Sequence, residues 1–492
     1  MMRRSAVHAA LAACLLALLA LAPAASAAAS SKLVIKGRGY GHGIGMSQYG
    51  TLGYAQHGFG YREILDHYYA QTDVMPLGSK PDVRVLLQSG RRVVIAGAVA
   101  ADDRALNPAK TYSASQSAGR IVLKSSSGRR LGTYDAPLRL AAPSDGALQL
   151  RGPATNGVRD GRYRGAIEVR PKPGGVMAIN ALGLEDYVRG VVSAESPANW
   201  PAEALKAQAV AARSYAVTTN VGTADDGIDQ YADTRSQMYK GVAAEFPSTD
   251  AAVAATSGEV VAYQGRPVVT YFFSTSGGHT ENLEFSFIGS LPRPWLQGVD
   301  DPFDDVSPRH EWKPASLTGG QAAAKLRGLV RGSFRGINVL QRGSSPRIVR
   351  AEVVGTKGVT QTTGPELRKR LGLFDTWATF TYISSKAEKP KPDPNATDPN
   401  ATDPISQPAP PDSTGGATAK AARQAPPVLT GVVDRARRGQ TIRIQQQVGP
   451  GRWRTVGTAA ATRRGRYRAT LPGSGVFRVA WADVTGPSVR VH

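Results

Sequence analysis

From Leu184 to Ala216 the chain reads LEDYVRGVVSAESPANWPAEALKAQAVAARSYA, with apolar residues at helical spacing on both sides of a break. Tyr187, Val188, Val191 and Val192 mark the face of a first helix. Ser196 stands before Pro197, whose ring disfavours helical backbone at the preceding residue, so this helix is predicted to end near Glu195. A second helix is predicted to begin around Asn199 or Trp200, with Asn199 as N-cap and Pro201 in the first turn, where its missing N–H costs nothing. On it Leu205, Ala209, Ala212 and Ala216 form one stripe, and Lys206 and Arg213 share a neighbouring face. The pattern thus predicts a lone carboxylate, Glu195, at a helix junction opposite a helix that carries two cations.

Elsewhere the period changes to two. Residues 81–180 break into short apolar runs at Val83–Leu87, Arg92–Ile95, Ile121–Leu123, Leu148–Leu150, Ala166–Val169 and Val176–Ile179, separated by Gly, Ser, Asp and Pro clusters, which predicts antiparallel strands. Beyond the helices come a predicted alanine-rich helix at 249–256 and strands around Glu259–Val261 and Val268–Phe273. Residues 386–426 hold the repeat PNATDPNATDP, many prolines and hardly any apolar side chains, a composition that reads as a disordered linker. Alternation resumes at Thr441–Gln445, Trp453–Val456, Tyr467–Thr470 and Phe477–Trp481, which predicts a basic β-sandwich module of immunoglobulin-like type over 427–492. The expected fold class is α+β: a mixed sheet-and-helix core followed by a C-terminal all-β module.

Composition changes this picture in two ways. Arg3 and Arg4 precede the apolar run Ala9–Leu21, and Ala25-Ser26-Ala27 follows it, so 1–27 reads as a secretory signal peptide, and no later stretch is apolar enough to span a membrane. The single cysteine, Cys14, falls inside that run, which leaves the exported chain without disulfides or a thiolate metal site. The net charge of +22 predicts polyanionic partners. Zinc-finger spacings, RNP-like strings and basic stripes interleaved with aromatics are missing from the sequence, so nucleic acid is not expected, and export points to anionic cell-wall polymers.

Two glycine-rich strings carry the remaining candidate chemistry. GHGIGMSQYG at 41–50 fits neither the dinucleotide pattern nor a P-loop, and STSGGHT at 274–280 follows a predicted strand. A histidine in either string is compatible with a purely structural role or with a site position. Together with the 184–216 stretch, these strings resemble the stage II sporulation protein D and amidase-enhancer family, whose members are secreted and act on peptidoglycan. The resemblance implies that Glu195 is the acid/base of a lytic transglycosylase, that Lys206 and Arg213 belong to its cleft, and that His42, Ser47, Gln48, Ser274 and His279 line the glycan site. Some relatives hold zinc with a histidine and two cysteines; those cysteines do not occur here, so no metal and no cofactor are expected.

The order of the strings is unusual for the family, because the 41–50 string precedes the Glu195 region instead of closing it. A circular permutation accounts for this if the strand at Val34 lies beside the strand at Phe380. The expected organisation is then a signal peptide at 1–27, a segment at 28–80 packed on the core, a catalytic or glycan-binding domain at 81–385, the linker at 386–426 and the module at 427–492. The expected protein is secreted and wall-associated and cleaves peptidoglycan glycan strands through Glu195. The alternative is a non-catalytic wall-binding partner that enhances a cell-wall amidase.

Overall fold

The computed structural model describes residues 30–222, 226–388 and 426–491; the expected signal peptide and most of the proline-rich stretch lie outside the described residues. The chain is α+β. It begins with β1 (Ser30–Gly37), whose Leu33, Val34 and Ile35 are all buried. The glycine-rich string then turns into α1 (Gln48–Gln56) and α2 (Tyr61–Tyr68). The side-chain oxygen of Ser47 accepts from the Gly50 N–H, satisfying one of the free donors at the start of α1.

The central sheet contains β2 (Asp82–Gly90), β3 (Ala166–Lys172) and β4 (Gly175–Gly183), with β4 between the other two and antiparallel to both. Strands at Thr111–Ser117, Arg130–Tyr134 and Leu138–Ala141 also form, outside the apolar runs expected from the sequence. TYSASQS at 111–117 buries only Tyr112 and Ala114, so the backbone ladders to its neighbours, not its side chains, define it as a strand.

β4 runs directly into α3 (Leu184–Glu195), followed by α4 (Ala202–Thr218) and, later, α5 (Pro247–Ala255). The N-cap of α4 is Pro201, not the Asn199 expected from the sequence, and no side chain caps this end. The expected stripe of Leu205, Ala209, Ala212 and Ala216 joins one continuous core with Val85, Leu87, Ile167 and α3 residues Val188 and Val191. Ala207, Val210 and Ala211, on another face of α4, pack into a second core with Ile44, Met46, Ile64, Leu65 and Tyr68. Small side chains let α4 sit between the two cores, so it is buried on more than the one stripe that the pattern indicated.

The core's closing strand is β5 (Ala378–Glu388), and it pairs antiparallel with β1 along its length, with Val34 opposite Thr381 and Ile35 opposite Phe380. The same sheet continues into the tail through β6 (Val428–Val433), which pairs with 383–388 of β5, and β7 (Arg466–Thr470), which pairs with β6. β5 therefore runs three residues into the stretch whose composition reads as linker. A second sheet, built from Thr441–Gly449, Arg452–Ala460 and Gly475–Trp481, faces it across a core in which Ile442, Ile444, Phe477 and Val479 meet Leu429, Tyr467, Ile383 and Val34. The tail's hydrophobic core is thus completed by the first and last strands of the main body.

Candidate functional site

Glu195 is the last residue of α3, and its C-cap Ser196 is extended, with φ −131° and ψ 134°, as a residue before proline prefers. One carboxylate oxygen accepts from the Met238 N–H at 2.6 Å. The other accepts from the Gln48 side-chain amide at 3.2 Å. Gln48 also donates to Gln208 Oε1 at 3.4 Å, and Ser196 Oγ reaches the same oxygen at 3.3 Å. Burial pushes the Glu195 carboxyl above the usual carboxylate range, and the two donors with the more distant Lys240 only partly offset this. Glu195 nevertheless keeps a partly solvent-accessible surface. It is a carboxyl group that holds its proton to higher pH than usual.

The glycine-rich string is joined to this centre through its serine and glutamine. Ser47 Oγ donates to the buried Asp304 at 2.9 Å, and Asp304 also accepts from the Ser276 and Gly277 N–H groups at 2.9 and 2.8 Å. His310 Nδ1 lies 3.0 Å from the second oxygen of Asp304. Asp304 therefore binds the 41–50 string to the 274–280 string, and the cap on α1 then points Gln48 at Glu195. Tyr49, the next residue, meets Trp200 edge to face at a centroid distance of 5.2 Å, on the link between α3 and α4. A second buried peg, Arg347 with Asp375 at 2.9 Å, donates to the carbonyls of Ser276 and His279. Gly43 has φ +87°, and a Cβ there would lie 2.5 Å from Arg347 Nε, which explains the need for glycine at this position.

The other expected site residues take different places. Arg213 is fully buried: it clasps Glu185 through both arms of its guanidinium, at 3.1 and 2.8 Å, and donates to the Glu259 carbonyl at 3.1 Å. Lys206 pairs with Glu203 at 2.6 Å, and its Nζ lies 5.7 Å from the Tyr61 ring centroid. Seven residues apart on one helix, the two cations serve different carboxylates, and neither hydrogen-bonds Glu195. Ser47 is buried as a cap, and Ser274 Oγ bonds Thr275 Oγ1 at 3.2 Å. His279 Nδ1 lies 2.5 Å from the Thr280 carbonyl, and its Nε2 is 3.7 Å from Asp300.

His42 Nε2 donates to the Phe272 carbonyl and Nδ1 accepts from the Ile44 N–H, both at 3.0 Å, so both ring nitrogens are used internally. Burial, together with the positive charge of Arg368, pushes its pKa down to about 3 and keeps the ring neutral. What it offers is a ring face, on a cavity of 460 Å³ that it shares with Phe287, Pro365 and Arg368. Of the expected residues, the structure brings Gln48 to Glu195, with Ser47 directly behind it. Met238, Gln208 and Asp304 are additions that the sequence did not indicate. Met238 contributes only a backbone N–H, and Asp304 sits in an acidic run, D300–D305, with no distinctive spacing.

Residues 172–263, which contain α3, α4 and Met238, match the model of the stage II sporulation protein family. Stage II sporulation protein D of Bacillus subtilis is 30% identical over 212 residues, covering 40% of this chain and 60% of that protein. The protein of the same name from Bacillus amyloliquefaciens is 34% identical over 148 residues, covering 27% of this chain and 42% of that one. The amidase enhancer of Bacillus subtilis is 37% identical over 105 residues, 21% of this chain and 14% of that protein. The chain spans less than two thirds of the length of each of these relatives. The stretch that carries Glu195 is thus similar to the stage II sporulation protein D and amidase-enhancer family.

Proposed function

We propose that this protein is an exported, wall-associated lytic transglycosylase that cleaves peptidoglycan glycan strands with Glu195 as the single acid/base. The observation that carries the reading is the environment of Glu195: a carboxyl whose proton is held to higher pH than usual by burial, bound by two hydrogen-bond donors. The protonated group gives its proton to the glycosidic oxygen as the C–O bond breaks. The resulting carboxylate then takes the proton of a hydroxyl on the same sugar, whose oxygen closes an anhydro ring on the anomeric carbon. One carboxyl completes both transfers, whereas the two-carboxylate hydrolases need a partner to activate water or attack the sugar. The two donors to Glu195 stabilise the carboxylate formed after the first transfer, which favours the bond-breaking step.

Lys206 and Arg213 are committed to Glu203 and Glu185, so the cations that would have discouraged a protonated Glu195 are directed elsewhere. The test is mass spectrometry of purified glycan strands after incubation with the protein. Fragments with anhydro ends are expected; intact strands, or fragments with reducing ends, would overturn the mechanism. The similarity to an amidase enhancer supports a second reading, in which the protein stimulates a cell-wall amidase without cleaving glycan. In that case Glu195→Gln leaves the stimulation unchanged.

A further inference from the structure

A groove of 1610 Å³ runs between the sheet shared by β5, β6 and β7 and the hairpin sheet that begins at Phe334. Its lining holds the cations Arg335, Lys386, Arg464, Arg466 and Arg468 and the carboxylates Glu388 and Asp434. The register explains why the cations gather there. Lys386 lies opposite Thr430 and Thr430 opposite Arg468, so these three form one row across the sheet. Arg466 is exposed two residues along the same strand, with Tyr467 buried between the arginines, so Arg466 and Arg468 point to the same face about 7 Å apart. Arg335 is exposed on the opposite wall, next to the buried Phe334.

The acids do not balance this charge. Glu388 accepts from Thr430 Oγ1 and from Arg468, both at 2.9 Å. Burial pushes the Asp434 carboxyl up, against the nearby Arg435. Arg335, Lys386, Arg464 and Arg466 have no ion-pair partner among the described residues. We propose that this groove binds a linear phosphodiester polymer of the cell wall and so anchors the protein independently of the Glu195 site. Guanidinium groups present forked donors that match phosphate oxygens, and their spacing along β7 is of the order of one repeat of a polyol-phosphate backbone. The small walls contributed by Gly319, Gly320, Ser333 and Thr430 leave room for such a chain.

The test compares two double substitutions that remove the same charge from the same module. Arg464→Gln with Arg466→Gln alters the groove; Arg437→Gln with Arg438→Gln alters exposed arginines that do not line it. Binding to poly(glycerol phosphate) is measured across a salt series with the full chain, the unfolding midpoint serving as the check on folding. The groove pair is expected to weaken binding about tenfold or more and to reduce the salt slope by about two, while the other pair changes affinity less than about twofold. Equal losses from both pairs would reduce the effect to net charge and overturn the proposal. Binding of polyglutamate as tight as that of the polyphosphodiester would overturn the choice of ligand. Cleavage of soluble glycan strands, measured in parallel, reports on the Glu195 reading and is expected to be the same for both pairs.

Discussion

At one end of α3 Glu185, and at the other Glu195, present the same carboxyl group to opposite surroundings. Glu185 lies in the first turn, where the helix dipole favours negative charge; burial pushes its pKa up, but Arg213, the Gly258 N–H and Lys80 outweigh that and hold it below the usual range. Glu195 lies in the last turn, where the dipole opposes negative charge, and burial there meets only an amide, a backbone N–H and the field of Lys240. Burial raises both groups. What separates them is a charged, forked partner at one end and neutral donors at the other, so a salt bridge holds one end of the helix while a carboxyl of raised pKa is kept at the other.

The largest expected effect comes from removing the carboxyl proposed as acid/base. Glu195→Gln keeps the hydrogen bond from Met238 but cannot transfer a proton, so glycan cleavage should fall about 10²–10⁴-fold with the fold intact. Anhydro-ended fragments quantified by mass spectrometry, beside a circular dichroism melt, check this; undiminished cleavage removes Glu195 from the mechanism. At the other end, Arg213→Met leaves Glu185 half-buried without its partner and should cost about 3 kcal/mol in denaturant unfolding. Adding Glu185→Leu should recover most of that loss. If the double substitution is no better than the single one, Arg213 acts on something other than Glu185.

Smaller changes sharpen the contrast through pH. As an acid, Glu195 must be protonated, so the alkaline limb of the cleavage rate should lie above the usual carboxylate range. Gln48→Leu removes a donor that favours the carboxylate, and so should move that limb to still higher pH while lowering the rate about tenfold through looser positioning. A limb that stays in place would mean that Gln48 does not act on Glu195. Stability follows with opposite signs at the two ends. A raised folded-state pKa at Glu195 gives stability that is lost as pH rises from the ordinary glutamate value through the raised one. The lowered value at Glu185 gives stability that is lost as pH falls through it. Glu195→Gln should therefore flatten the first dependence and leave the second.

The smallest effect belongs to Lys206→Ala, which breaks a partly exposed pair with Glu203. It should cost less than about 1 kcal/mol and change cleavage less than about twofold. A large loss of rate with unchanged stability would return Lys206 to the glycan site.

The sequence was most informative where a local rule decides the outcome. Pro197 ends α3 at Glu195 because a residue before proline avoids helical backbone, and the spacing of Leu205, Ala209, Ala212 and Ala216 set the inner face of α4. Alternation in the tail located the strands of its second sheet to within a few residues. The pairing of β1 with β5 was expected for another reason: the family resemblance, with the strings in an order unusual for it, implied a circular permutation that makes the two strands neighbours.

What the sequence could not decide is where each polar side chain finds its partner. Lys206 and Arg213 share a helix face in projection, yet one ends on Glu203 and the other on Glu185, because Arg213 is enclosed by α3 and α5 and by the strand at 259–263 while Lys206 reaches the surface. Asp304, Met238 and Gln208 carry no signal of their own and gain their roles only when distant segments pack together. Likewise β6 takes its place beside β5, and with it the cation row of the tail, only through a ladder between segments far apart in the chain. Backbone rules and hydrophobic period act over a few residues and can be read along a sequence. Ion-pair choice, the protonation of a buried acid and the edge a strand selects depend on distances that only the folded chain sets.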